Sequence, residues 1–99
     1  MDLKATWKEQ QTAQFPYAAR NLSVEGLTLI RLDAQLGALL TRSLRSDGQV
    51  RPLSQADAAQ VLRLSELCER ALRDLVLQPE AAAYFSRLAR IGRALTGTD

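Results

Sequence analysis

The chain has 99 residues, 46% hydrophobic and 24% charged, with 13 basic residues against 11 acidic ones and a net charge of +2. That is one domain of ordinary globular composition, without the apolar depletion of a disordered chain. A single cysteine and the absence of histidine rule out an intrachain disulfide, histidine-dependent nucleophilic machinery and the usual Cys/His zinc sites.

Residues 1–22 read as an N-terminal arm. The opening MDLKATWKEQQ has no hydrophobic signal region, and no stretch approaches the roughly 18 apolar residues of a membrane span. The expectation is a cytoplasmic protein without a membrane partner. Residues 3–14 can form a short helix before Pro16, although WKEQQTAQFPYAAR lacks a good helical stripe. Trp7, Phe15 and Tyr17 are the arm's docking candidates. They can lie over the chain's own core, complete a second copy by exchange, or meet another protein.

Residues 23–45 are leucine-rich. As a helix, Leu29, Leu32, Leu36, Leu39, Leu40 and Leu44 share one side and Arg31, Gln35, Ala38 and Arg42 lie behind. As a strand, residues 27–32 leave neither face clean. About five turns of helical pattern are also too long for a typical strand of about 5–6 residues. The spacing therefore predicts a long helix over 23–45 with Ser23 as N-cap, strained only at Gly26. Asp33 stands at the edge of the leucine stripe, with Gly37 one turn on as a notch beside it. An unpaired buried carboxylate is costly, so Asp33 should meet an arginine or tilt into solvent. The functional reading is a ligand, or a partner's arginine, held in the notch; the plain one is a boundary position with an internal salt bridge.

The Asp47-Gly48 pair and Pro52 mark residues 46–53 as a loop. A helix over 54–77 follows, capped by Ser54 with Asp57 three residues on. Val61, Leu64, Cys68, Ala71, Leu72, Leu75 and Val76 fall within about 120° of arc, the width of a core-facing stripe. Glu66–Arg70, Glu69–Arg73 and Arg70–Asp74 are opposite-sign pairs four residues apart. Cys68 lies on the inner face, where it serves as a small hydrophobe.

Pro79 suits a first helical position and Gly97 a C-terminal stop, giving a last helix over 79–96. Tyr84, Phe85, Leu88, Ile91 and Leu95 recur along its inner side. Arg87, Arg90 and Arg93 form a basic edge opposite, either a solvated face or a phosphate contact. Phosphate loops, paired carboxylates and other cofactor or metal motifs are missing, so no cofactor is expected. The whole predicts an all-α domain: a three-helix antiparallel bundle over 23–99 carrying the arm. Leu62, Leu67 and Ile30 widen the stripes beyond what one such bundle needs, which favours a homodimer. The leading functional expectation is a non-catalytic interaction or assembly module with a protein partner. The alternative is a nucleic-acid-associated protein using the basic edge.

Overall fold

A computed structural model of the chain describes residues 2–45 and 49–98. They are mostly helical, with four α-helices, in keeping with the all-α expectation, and one small antiparallel sheet that it did not include. The Asp47-Gly48 loop signal lies outside the described residues.

The first helix, α1, runs Leu3–Thr12 and is capped by Asp2, whose carboxylate accepts from Ala5 N at 3.1 Å. Its inward side is Leu3, Trp7 and Gln10, one residue per turn. Gln10 is buried beside the tryptophan, and this polar member hides the stripe from a hydrophobicity count. A single 3₁₀ turn, Tyr17–Ala19, follows Pro16.

The long helix predicted from 23 does not begin there. Ser23–Val24 (β1) and Leu27–Thr28 (β2) pair antiparallel around Glu25-Gly26. Both turn residues have positive φ, 50° at Glu25 and 81° at Gly26, the pattern of a two-residue hairpin turn matched to strand twist. Gly26, a strained point for a helix, is what the turn uses. Leu29 N donates to Leu22 O at 2.8 Å, which ties the hairpin to the start of α2, Leu29–Ser43. Leu29, Leu32, Leu36, Leu39 and Leu40 are buried along α2, and Leu44 just past its end. The chain then doubles back, with Leu44 bridging Val50 and Ser43 Oγ donating to Arg51 O at 2.6 Å.

Ser54 caps α3, Gln55–Asp74, accepting from Asp57 N at 3.1 Å. Helix α4, Pro79–Thr96, has proline in its first turn and ends on Gly97 in the left-handed conformation. The predicted helix over 54–77 is therefore three residues too long at its end. Leu75 is extended, so side chains alternate along 75–77: Leu75 and Leu77 are partly buried and Val76 between them is 99% exposed. Val76 was expected on the inner stripe; loss of helical phase after Asp74 turns it out.

The most extensive packing is α3 on α4, followed by α2 on α3 and α1 on α4. Gly92 sets the first contact. A Cβ there would overlap Ser65 Oγ and lie 3.2 Å from Ser65 Cβ and 3.3 Å from Val61 Cγ1. Ser65 is fully buried, and its hydroxyl has no hydrogen-bond partner among the described residues. All three charge pairs expected along α3 lose a member to partners outside the helix. Glu69 reaches Arg93 on α4, and Arg70 reaches Glu25 in the hairpin turn at 2.7 Å. The surplus apolar width is largely covered within the chain: Leu67 is buried, β1 packs on α3 and α1 on α4. Ile30 stays 42% exposed. Among the described residues, no helix is long and apolar enough to cross a membrane.

Candidate functional site

Asp33 enters the interior from α2 at the edge of the leucine stripe, half-buried. Its partner is a phenol, not the expected arginine: Tyr84 OH, on α4, donates to Asp33 Oδ1 at 2.6 Å. A buried tyrosine carries a hydroxyl that must find an acceptor, and Asp33 is the acid placed one helix away. Among the described residues no basic side chain pairs with Asp33. Burial raises the Asp33 pKa above its ordinary 3.8, and the Tyr84 hydrogen bond opposes the rise only in part. Tyr84 is likewise pushed up, first by burial, then by the hydrogen bond to Asp33 and its charge, so the phenol keeps its proton.

Beside this pair is the notch expected at Gly37. A Cβ on Gly37 would meet no atom within 4 Å. The space is a cavity of about 340 Å³, and its lining includes Trp7, Phe15, Asp33, Gly37, Thr41 and Tyr84. The arm thus supplies two of the notch's aromatic walls. Trp7 is 8% exposed; Phe15 sits edge-on to Tyr84 and Phe85, with ring centroids 5.6 and 6.2 Å apart. Tyr17 does not join them. It is 64% exposed, with the Arg20 guanidinium 4.0 Å over its ring.

The three arginines of α4 do not act as one edge. At 100° per residue, steps of three turn each successive arginine by about −60°, and the outer two reach different neighbours. Arg87 Nε donates to Gln10 Oε1 on α1 at 3.0 Å. Arg93 makes a two-pronged pair with Glu69 on α3, Nη2 to Oε1 at 2.6 Å and Nε to Oε2 at 3.0 Å. That pairing holds the Glu69 carboxyl below its usual range. Arg90 stays exposed.

A second depression escaped the sequence reading. It is a groove of about 770 Å³ between residues 13–22 and the α3–α4 junction, lined mainly by apolar side chains. Five large hydrophobic residues are exposed among the described residues, and three of them line this groove: Tyr17, Leu22 at 40% and Val76. Ala81, Phe15 and Tyr84 form part of its floor, so Phe15 and Tyr84 separate it from the Asp33 notch. A single helix's periodicity carries no signal for such a groove, because its walls come from two loops.

Asp33 and Glu69 bend the pH dependence of stability in opposite directions. Asp33 has a raised folded pKa, so its contribution is full below the unfolded value of about 3.8 and is lost as pH rises through the folded one. Glu69 has a lowered folded pKa, so its contribution is present above about 4.5 and lost as pH falls through the folded value. Denaturation of wild type and Asp33→Asn from neutral pH downward should show the difference moving in favour of wild type. The Glu69→Gln difference should move against it. A pH-independent difference for Asp33→Asn would show that its carboxylate is solvated.

Cys68 is fully buried, and burial, then the charges of Asp33 and Glu69, raise its pKa; such a thiol is inert. Among the described residues, no three His, Cys, Asp or Glu side chains are grouped to hold a metal ion. Two features stand out among the described residues: a half-buried carboxylate beside an aromatic-lined notch, and an apolar groove. Comparison of the chain with protein-family models, with curated proteins and with solved structures gave no match.

Proposed function

We propose that this chain is a non-catalytic interaction or assembly module. In this reading α2, α3 and α4 form an antiparallel three-helix bundle closed on one side by the arm, and two copies associate through the apolar groove. The observation that carries it is the gathering of Tyr17, Leu22 and Val76 around a single groove. Singly scattered exposed hydrophobic residues are normal, whereas a contiguous patch marks a contact surface. A twofold pairing would cover the patch with the same patch of a second copy.

Light scattering at micromolar concentration should give about twice the 10.9 kDa chain mass. Val76→Lys should return the protein to the monomer without loss of helical signal, because this side chain makes no packing contribution at 99% exposure. A clean monomer across that concentration range defeats self-association and leaves the groove to a foreign apolar segment. The alternative, a nucleic-acid-associated protein using Arg87, Arg90 and Arg93, would show affinity for duplex DNA that falls steeply with salt. It is the weaker reading because Arg93 is committed to Glu69 and Arg87 to Gln10.

A further inference from the structure

The geometry points to the Asp33 notch as a binding site for an organic cation, a guanidinium or primary ammonium group on a slender alkyl stem. The first observation is the charge imbalance. Asp33 is half-buried, and its one hydrogen-bond partner among the described residues is the neutral phenol of Tyr84 at 2.6 Å. A phenol donates a proton bond but brings no opposite charge. A carboxylate drawn out of water without a counter-ion is costly, and a cation arriving beside it recovers that cost as binding.

The second observation is the shape and lining of the space. The cavity of about 340 Å³ lies against Gly37, where the missing side chain leaves the floor open. Its walls include Trp7, Phe15 and Tyr84. Aromatic rings attract a cation placed over their faces, and more strongly when both are out of water. Two further polar groups on lining residues, Trp7 Nε1 and Gln10 Nε2, are buried without a hydrogen-bond partner among the described residues; they are neutral, so Asp33 is the one charged side chain of the lining. Asp33 repels anions, and one carboxylate falls short of the oxygen set a hard metal ion needs. An alkyl cation is the chemistry that answers both the carboxylate and the rings: charge for Asp33, stem and charge for the aromatic walls.

Such a group can come from two sources, an arginine or lysine side chain of a protein or a free small amine or guanidine. The site goes beyond the apolar groove and is tested apart from it, since Trp7 lines the notch and not the groove. Trp7 is also the chain's single tryptophan, so its emission reads the site directly.

The test titrates the full chain at low salt with n-butylguanidinium, n-butylammonium, the uncharged control n-butanol, and the capped peptide acetyl-Ala-Arg-Ala-amide. Trp7 emission is followed, with circular dichroism to confirm that the fold is retained. The cations should give a saturable change, weakened by added salt, that butanol does not give. Asp33→Asn keeps an oxygen for Tyr84 and should weaken the response at least about tenfold. Gly37→Leu fills the notch while leaving the carboxylate, and should do the same; it decides the matter if Asp33→Asn fails to fold. Tighter binding of the peptide than of butylguanidinium assigns the site to a protein side chain, and the reverse order assigns it to a free small molecule. A response without saturation, or one equal in wild type and both variants, overturns the site.

Discussion

Gly92→Leu should cost about 3 kcal/mol or abolish folding, the upper end of what overpacking a tight interior costs. The cause is the approach of α3 and α4. Even one methyl at position 92 overlaps Ser65 Oγ and presses on Ser65 Cβ and Val61 Cγ1. A leucine adds three more carbons at the same point, in the most extensive helix pairing of the fold. Gly92→Ala is the finer probe because two effects oppose each other. Alanine favours a helix interior over glycine by about 1 kcal/mol, while its methyl must displace the serine hydroxyl. Ser65→Ala removes that hydroxyl, which is buried without a partner, so alone it should be neutral or mildly stabilising. The two substitutions should therefore couple: Gly92→Ala should be better tolerated by at least about 0.5 kcal/mol in the Ser65→Ala background. Urea denaturation of the four proteins measures this. Additivity of the two changes would mean the helices do not meet at these residues.

Ser65 and Gly92 were both invisible as a pair in the sequence, and the reason is general to this chain. What could be read was whatever a single segment carries by itself. The stripe Leu29, Leu32, Leu36, Leu39, Leu40 and Leu44 is buried at every position, because once-per-turn spacing fixes a face without reference to its partner. Ser54, Pro79 and Gly97 act at helix ends as their backbone chemistry dictates. Failures came where phase or partnership decides. Extending the leucine helix back to Ser23 ran through Gly26, whose positive φ belongs to a hairpin turn; the residue that weakened the helix was the signal of its absence. Val76 was placed by helical angle after the helix had ended. The burial of Gln10 left no mark in its own segment, because its partner Arg87 lies 77 positions away. At the candidate site the notch of Asp33 and Gly37 was legible, since both lie on one helix. Its lid was not, because the aromatic walls come from α1, the following segment and α4. Tyr84 was read as one more apolar position. Its hydroxyl, which needed an acceptor, and Asp33, which needed a donor, were each recognisable as unfinished, and joining them would have replaced the expected arginine.

Phe85→Ala should cost about 3–5 kcal/mol, the usual loss for truncating a fully buried phenylalanine. Phe85 has no exposed surface and is the largest of the fully buried side chains. It packs at 5.2 Å from the Tyr84 ring centroid and 6.2 Å from that of Phe15. The hole left by alanine cannot be filled from one side alone, since the phenylalanine lies where α4 meets both the core and the arm. That position also predicts how the variant comes apart. Phe15 loses one of its two edge-on ring partners, so the arm should loosen before the helices separate. In wild type, Trp7 emission and far-ultraviolet circular dichroism should report one shared urea midpoint. In Phe85→Ala both midpoints should fall, with the Trp7 transition leading. A single domain of this size is stable by only about 5–15 kcal/mol, so the predicted loss consumes a large share of the total and is well within measurement. A loss below about 1 kcal/mol would place Phe85 outside the core. A large loss with coincident midpoints would mean that the arm holds through Trp7 and the Gln10–Arg87 bond instead of through Phe15.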